Sequence, residues 1–357
     1  MNAQLLKKLF AGTPRMEPRD AIKFAHQTAY GCGHFLPPKE KCVEMIAREL
    51  AAVPAGDVPM YTPIGNGLCR LNLAASQVRA LDPELIFRMM QGTDLCVRAR
   101  EDNDLHFMEV VDQISALARK GEMPFSFEDF QAYWECYSEE RAHGSGVVSH
   151  TQAYHDAYHP AYRVVLENYA LLVPVLAQQE KRLIVIDGPC GSGKTTLAHA
   201  LGDLFSTTPV PMDDFFLPPD MRTPARLSEP GGNVHRERFA AEVLASLEAG
   251  GPVRWQRFDC QTGQMLKREQ NADGLVIIEG SYSHHPAFAE SWKRLGALRV
   301  FIAVDGAEQL RRLQKRNPEM LPMFQNRWIP LEKTYFEAYD IRRSADCVID
   351  SPCSQDD

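Results

Sequence analysis

What this 357-residue chain lacks narrows it before any motif does. It has no long run of lysine or arginine, and its formal net charge is −8. A general nucleic-acid surface needs clustered cations, so no nucleic-acid polymer is expected as a partner, although a single local anion site remains compatible. No stretch approaches the roughly 18 consecutive apolar residues that span a bilayer, so no membrane partner is expected. The opening MNAQLLKKLFAG lacks a sustained apolar core and reads as a short amphipathic helix rather than a secretory leader. Nine cysteines, an odd number, are scattered with no CxxC pair, and there is no HExxH string. That excludes a disulfide framework and a structural zinc site as first readings and fits reduced thiols in a cytoplasmic protein. Internal repeats and low-complexity tracts are absent as well.

What is present divides near the polar string Gln178–Arg182. The length suits two domains of about 100–200 residues each. We expect residues 1–178 to form a mostly helical domain, with apolar residues at helical spacing in Asp82–Gln91, Leu105–Lys120 and Phe127–Tyr137. Asn66-Gly67 within Tyr61–Leu73 signals a hairpin turn, and Pro160 suggests the first turn of a helix reaching about Ala177. His143, His150, His155 and His159 suggest a metal only weakly. Pro160 follows His159 directly, and no cysteine partner accompanies them. The glycine-rich Gly31-Cys32-Gly33-His34 reads as a loop.

Residues 179–357 change character. Short apolar runs at Leu183–Asp187, Val210–Asp213, Leu275–Glu279, Val300–Val304 and Cys347–Asp350 alternate with helical stretches at Lys194–Phe205, Arg236–Ala249 and Ala307–Arg316. Runs apolar on both faces with helices between them predict an α/β fold with a parallel five-stranded sheet flanked by helices.

The first run leads into Gly188-Pro189-Cys190-Gly191-Ser192-Gly193-Lys194-Thr195-Thr196, a complete phosphate-loop (Walker A) pattern followed by a helix. Glycines let the backbone N–H groups wrap phosphate oxygens, and the helix adds the positive end of its dipole. Lys194 is expected to reach the β- and γ-phosphates of a nucleotide, and the Thr195 hydroxyl to ligate Mg2+. The Asn-Lys-x-Asp string of switch GTPases is missing, which leaves ATP as the expected cofactor. Glu279, at the end of another strand, is placed to support the same metal ion.

TPVPMDDFFLPPD, from Thr208 to Asp220, sets Asp213 and Asp214 against Phe215 and Phe216 in a proline frame at the end of the next strand. Ligands in open α/β sheets bind at the carboxyl ends of strands, so Asp213 is expected to face the γ-phosphate and act on an attacking hydroxyl. Phe216 could hold an apolar part of the acceptor.

The set GPCGSGKTT, MDDFF, IIEG and a later arginine-rich segment resembles the uridine kinase/phosphoribulokinase-like P-loop kinases, which include bacterial pantothenate kinase. The resemblance covers about Arg182 to Asp350. It implies that Asp213 is the base for the acceptor hydroxyl and that Glu279 is the strand-end glutamate of the family. It implies a helix bordering the acceptor site at Gly232–Phe239, with His235 and Arg238. It implies a lid at Arg312–Pro318, with Arg312 and Arg316 stabilising the transferred group. The family's Tyr-Asp-Phe-x-x-His string is replaced by Phe258-Asp259-Cys260-Gln261-Thr262-Gly263, which weakens the case for uridine itself. Arg257 and Asp259 remain as acceptor contacts.

Two functional classes follow. One is an ATP-dependent kinase acting on a hydroxyl of a nucleoside-, sugar- or vitamin-like molecule. The other is an ATP-responsive regulatory module whose output is the first domain. A homo-oligomer is left open.

Overall fold

The computed structural model describes residues 3–32, 36–143, 148–158, 161–178, 180–258 and 264–352. Two compact units divide the chain, one ending at Val173 and the other beginning at Pro174.

In the first unit the helices Pro18–Tyr30, Pro83–Arg98, Asn103–Arg119 and Phe127–Ala142 dominate. Pro83 opens its helix behind Asp82, whose carboxylate accepts the Glu84 N–H at 2.8 Å. The hairpin of β1 (Tyr61–Gly65) and β2 (Leu68–Asn72) turns at Asn66 and Gly67, with φ values of 55° and 67°. Both residues are left-handed, as a two-residue hairpin turn demands.

The expected helix from about Pro160 to Ala177 is corrected. Tyr162–Leu166 is a third strand, β3, antiparallel to β2, and the short helices Glu167–Leu171 and Val173–Leu176 follow it. Tyr162, Val164 and Val165 are residue types that fit a pleated, half-buried surface, and pairing with β2 outweighs the proline cue. Pro160 and His159 lie outside the described residues, as does His34.

The helix Pro18–Tyr30 buries a polar stripe, Asp20, Lys23 and Gln27, at positions that share one face. A one-way hydrogen-bond chain runs through it. Arg70 Nη2 donates to Gln27 Oε1 (2.8 Å), and Gln27 Nε2 donates to the Tyr162 hydroxyl (3.0 Å). That hydroxyl lies 2.8 Å from His150 Nε2, and His150 Nδ1 lies 3.1 Å from Asp20 Oδ1. The sequence favours a structural His150, and the ring is built into this buried network. His143 sits at a helix end with Nδ1 2.7 Å from Glu139 O.

The second unit is a parallel α/β sheet. Its strands are β4 (Leu183–Asp187), β5 (Val210–Pro211), β8 (Val276–Glu279), β9 (Leu298–Ala303) and β10 (Cys347–Asp350), in the order β10-β9-β4-β8-β5. All neighbouring pairs are parallel, as expected from the apolar runs. Between β5 and β8 the chain also forms an antiparallel hairpin of β6 (Val253–Phe258) and β7 (Met265–Gln270).

β9 starts two residues earlier than expected, and two stretches differ in form. β5 pairs only at Val210 and Pro211, and Met212–Phe215 winds into a 3₁₀ turn that carries the two aspartates. Proline has no N–H for the ladder and suits the end of an edge strand. The stretch Arg236–Ala249 is helical in three consecutive pieces, with a π turn at Ala240–Leu244. Beneath the site, Phe215, Phe239, Phe288, Trp292 and Tyr335 share one apolar core.

Candidate nucleotide and acceptor site

β4 is buried throughout and delivers the loop Gly188–Gly193 to the start of the helix Lys194–Phe205. Gly188, at φ 147°, could not carry a side chain. A Cβ there would stand 2.4 Å from the Ile302 carbonyl oxygen of the neighbouring strand. Gly193, at φ 97°, turns the loop into the helix.

Lys194 is buried and donates Nζ to Pro189 O at 2.9 Å. The Thr195 hydroxyl donates to Glu279 Oε2 at 3.1 Å, so the first helical turn meets the end of β8. Burial holds the Glu279 carboxyl above the usual carboxylate range, while the Lys194 charge pulls it down. Ser192 Oγ is fully buried with no hydrogen-bond partner among the described residues.

These features fit a nucleotide with Mg2+. The loop is closed by glycine packing, a hydroxyl inside it is unsatisfied, and a hydroxyl and a carboxylate supply the hard oxygen donors that Mg2+ takes.

Asp213 and Asp214 are separated by their surroundings. Asp214 is buried, its Oδ2 accepting the Trp255 Nε1–H at 2.7 Å from β6, with Arg257 Nε 3.6 Å from its Oδ1. Asp213 is exposed, although protein atoms crowd around its carboxyl. That crowding raises its carboxyl above the usual range; the Lys194 charge opposes the rise, Asp214 adds to it, and Arg316 opposes it more weakly. Asp213, Lys194, Glu279 and Thr195 therefore belong to one electrostatic cluster.

The acceptor-side residues divide. The turn carrying the aspartates is bridged to the next segment, with His235 N donating to Phe215 O (2.7 Å) and Leu217 N to Asn233 O (3.0 Å). His235 caps its helix through Nδ1, which accepts the Arg238 N–H at 3.3 Å. Arg238 stacks 4.4 Å over the Phe215 ring and donates to the carbonyls of Asp214 and Gln256, which makes it a tie between turn and hairpin. Phe216 is half-buried against the core. Arg257 is exposed beside Asp214. Asp259 lies outside the described residues.

Of the expected lid cations, Arg312 packs its guanidinium on the phosphate loop, with Nη1 3.3 Å from Ser192 O and 2.8 Å from Ser351 Oγ. Its Nε is paired with Glu308 at 2.6 Å. Arg316 acts on Asp213 only weakly through its charge and donates Nε to Asn317 Oδ1 at 3.1 Å.

Four residues escaped the sequence reading. Asp187 accepts the N–H groups of Gly188 (2.7 Å), Tyr282 (3.2 Å) and His284 (2.9 Å) and the Tyr335 hydroxyl (2.9 Å), locking the loop after β4 to the one after β8. Tyr282 holds a left-handed φ of 77°, an uncommon conformation for a bulky residue. Ser281 and Glu332 meet the phosphate loop directly. Only the GSYSHH string after Glu279 could have hinted at any of them.

Topology and loop together define the second unit as a P-loop NTPase fold. Solved structures similar to the chain include a possible uridine kinase from Bacillus stearothermophilus, 22% identical, with a TM-score of 0.37. That match covers 48% of this chain and 89% of that one. The YGR205w protein is 16% identical with a TM-score of 0.35, over 50% of this chain and 90% of that one. The likeness concerns the fold of about half the chain. No family model and no curated protein matches the chain.

Proposed function

We propose that the unit from Pro174 onward is a small-molecule kinase that transfers a phosphoryl group from ATP to a hydroxyl. The observation that supports this most is the convergence of Asp213, Lys194, Thr195 and Glu279 at the carboxyl ends of β5, β4 and β8, where open α/β sheets bind ligands. Lys194 and the N–H groups of the loop up to Thr196, Pro189 having none, hold the phosphates, and Thr195 and Glu279 hold the metal. Bound ATP with Mg2+ supplies the electrophilic phosphorus and neutralises its charge. Asp213 accepts the proton of the acceptor hydroxyl, and a carboxyl raised by its surroundings is a better base near neutral pH. Arg316 and Arg312 offset charge on the transferred group. Phe216, His235, Arg238 and Arg257 border the acceptor, which we read as nucleoside-, sugar- or vitamin-like.

The test is ADP release by the full chain over a panel of nucleosides, sugars and vitamins. One acceptor is expected to exceed background hydrolysis by about tenfold or more. No such acceptor, together with a protein partner retained only in the presence of ATP, would overturn the kinase in favour of the regulatory reading.

A further inference from the structure

A carboxylate from outside the motif sits against the phosphate loop. Glu332, on the helix Ile329–Ala338, is 5% exposed. Its two oxygens lie 3.1 and 2.9 Å from Cys190 N, and Oε1 also accepts the Ser281 hydroxyl at 2.6 Å. These oxygens stand in for an anionic ligand oxygen at a loop amide. One helical turn on, Tyr335 donates to Asp187, so the helix is pinned to both ends of the β4–loop junction.

The groups facing Glu332 are Lys194 from the loop helix, the Cys190 thiol, and Tyr282 from the segment after β8. Burial keeps the thiol and the phenol protonated. Lys194, whose Nζ donates to Pro189 O in the same peptide that offers the Cys190 N–H to Glu332, is thus the countercharge, and its charge also acts on Asp213 and Glu279. Three carboxylates draw on one ammonium group that must serve the phosphates.

We infer that Glu332 is a positioning residue that holds the phosphate loop in shape through the Cys190 amide while its charge weakens nucleotide binding by competing for Lys194. This rests on the nucleotide-binding reading of Gly188–Thr195. Glutamine separates the two effects. Ser281 Oγ lies 3.0 Å from Gly188 O, so its proton can turn there in the Glu332→Gln variant. The new side-chain amide then donates to Ser281 Oγ and accepts from Cys190 N. The Ser281 bond and the shorter Cys190 bond are kept and the charge is removed; only the longer 3.1 Å contact of Oε1 with Cys190 N is given up.

The experiment is calorimetric titration of the full chain with ADP and with ATP, Mg2+ present, for wild type, Glu332→Gln, Glu332→Asp and Lys194→Ala. Glu332→Gln is expected to bind about five- to twentyfold more tightly at pH 8, because a buried like charge near the phosphates is gone. Glu332→Asp, which keeps the charge, is expected to gain nothing. The advantage of Glu332→Gln should shrink as pH falls, since burial raises the wild-type carboxyl and it takes up its proton sooner than an ordinary glutamate. A merely structural role would leave that ratio flat. Equal or weaker binding by Glu332→Gln, with an unchanged melting temperature, overturns the inference. If that variant does not fold, wild-type affinity for ADP without Mg2+, corrected for the protonation of ADP itself, must strengthen on acidification; a flat or falling profile overturns it. Loss of binding in Lys194→Ala with no effect of Glu332→Gln sinks this inference alone. Full binding by Lys194→Ala sinks the nucleotide reading and this inference with it.

Discussion

Trp255 donates its indole N–H to Asp214 Oδ2 at 2.7 Å, and this one contact gives two adjacent aspartates opposite duties. Asp214 is turned inward to hold the β6–β7 hairpin, leaving Asp213 facing the open site. Trp255→Phe strands a buried carboxylate without its donor. We expect the second unit to lose about 1–3 kcal/mol, read from urea unfolding.

Asp213→Asn tests the other duty. The amide keeps the shape and removes the proton acceptor. Nucleotide affinity should hold, while phosphoryl transfer to the acceptor should fall by about 10²–10⁴-fold. Unaltered turnover would remove Asp213 from the chemistry.

How far the sequence carried this picture depends on where each signal is local. The phosphate loop, β4 and the helix Lys194–Phe205 were legible to the residue, because the motif couples glycine geometry to a strand before it and a helix after it. The hairpin of β6 and β7 was not. β7 reads MLKREQ and is exposed at five of its six residues, so it shows no apolar run. β3 was hidden behind a proline cue, since its partner β2 lies far back in the chain. The helix Ile329–Ala338 with Glu332 and Tyr335 carries no motif that marks it. Their bonds to Cys190 and Asp187 bridge more than 140 residues and exist only in the fold.

Gly188→Ala tests the loop's packing. Its Cβ would stand 2.4 Å from a backbone oxygen of β9, which cannot swing aside as a side chain can, and its φ of 147° disfavours an L-residue. We expect a destabilisation of about 3 kcal/mol or more, with nucleotide binding lost, checked by thermal unfolding and calorimetry on the same sample. Gly250→Ala is the control for a left-handed glycine, since no atom lies within 4 Å of its Cβ position. It should show the smaller loss.

Cys190 lies within the nucleotide loop, yet burial, with Glu332 adding to it, pushes its thiol up to about 12. At pH 8 only about one molecule in 10⁴ carries the thiolate that attacks an alkylating reagent. Mass spectrometry after iodoacetamide treatment should find the exposed Cys96 and Cys136 modified well before Cys190. Rapid labelling of Cys190 would mean that Glu332 does not face it.

Acid should unfold the first unit through the Asp20–His150 pair. Burial, with Arg70 and Lys23 nearby, holds His150 below its usual value despite the Asp20 hydrogen bond. Folding therefore disfavours the protonated ring, and stability begins to fall as pH drops below about 6.5, where the unfolded histidine takes up its proton. Asp20 acts at lower pH. Burial would raise its carboxyl, but His150, the N–H groups of Glu17 and Thr151 and the Thr151 hydroxyl together hold it below its usual value. Its contribution is present above the ordinary carboxylate range and is lost as pH falls through the lowered native value. Urea midpoints of the first unit's transition should therefore decline in two stages between pH 7 and 3. His150→Gln should remove the upper stage and Asp20→Asn the lower one. A wild-type profile flat from pH 7 to 5 would show that His150 does not titrate against the fold.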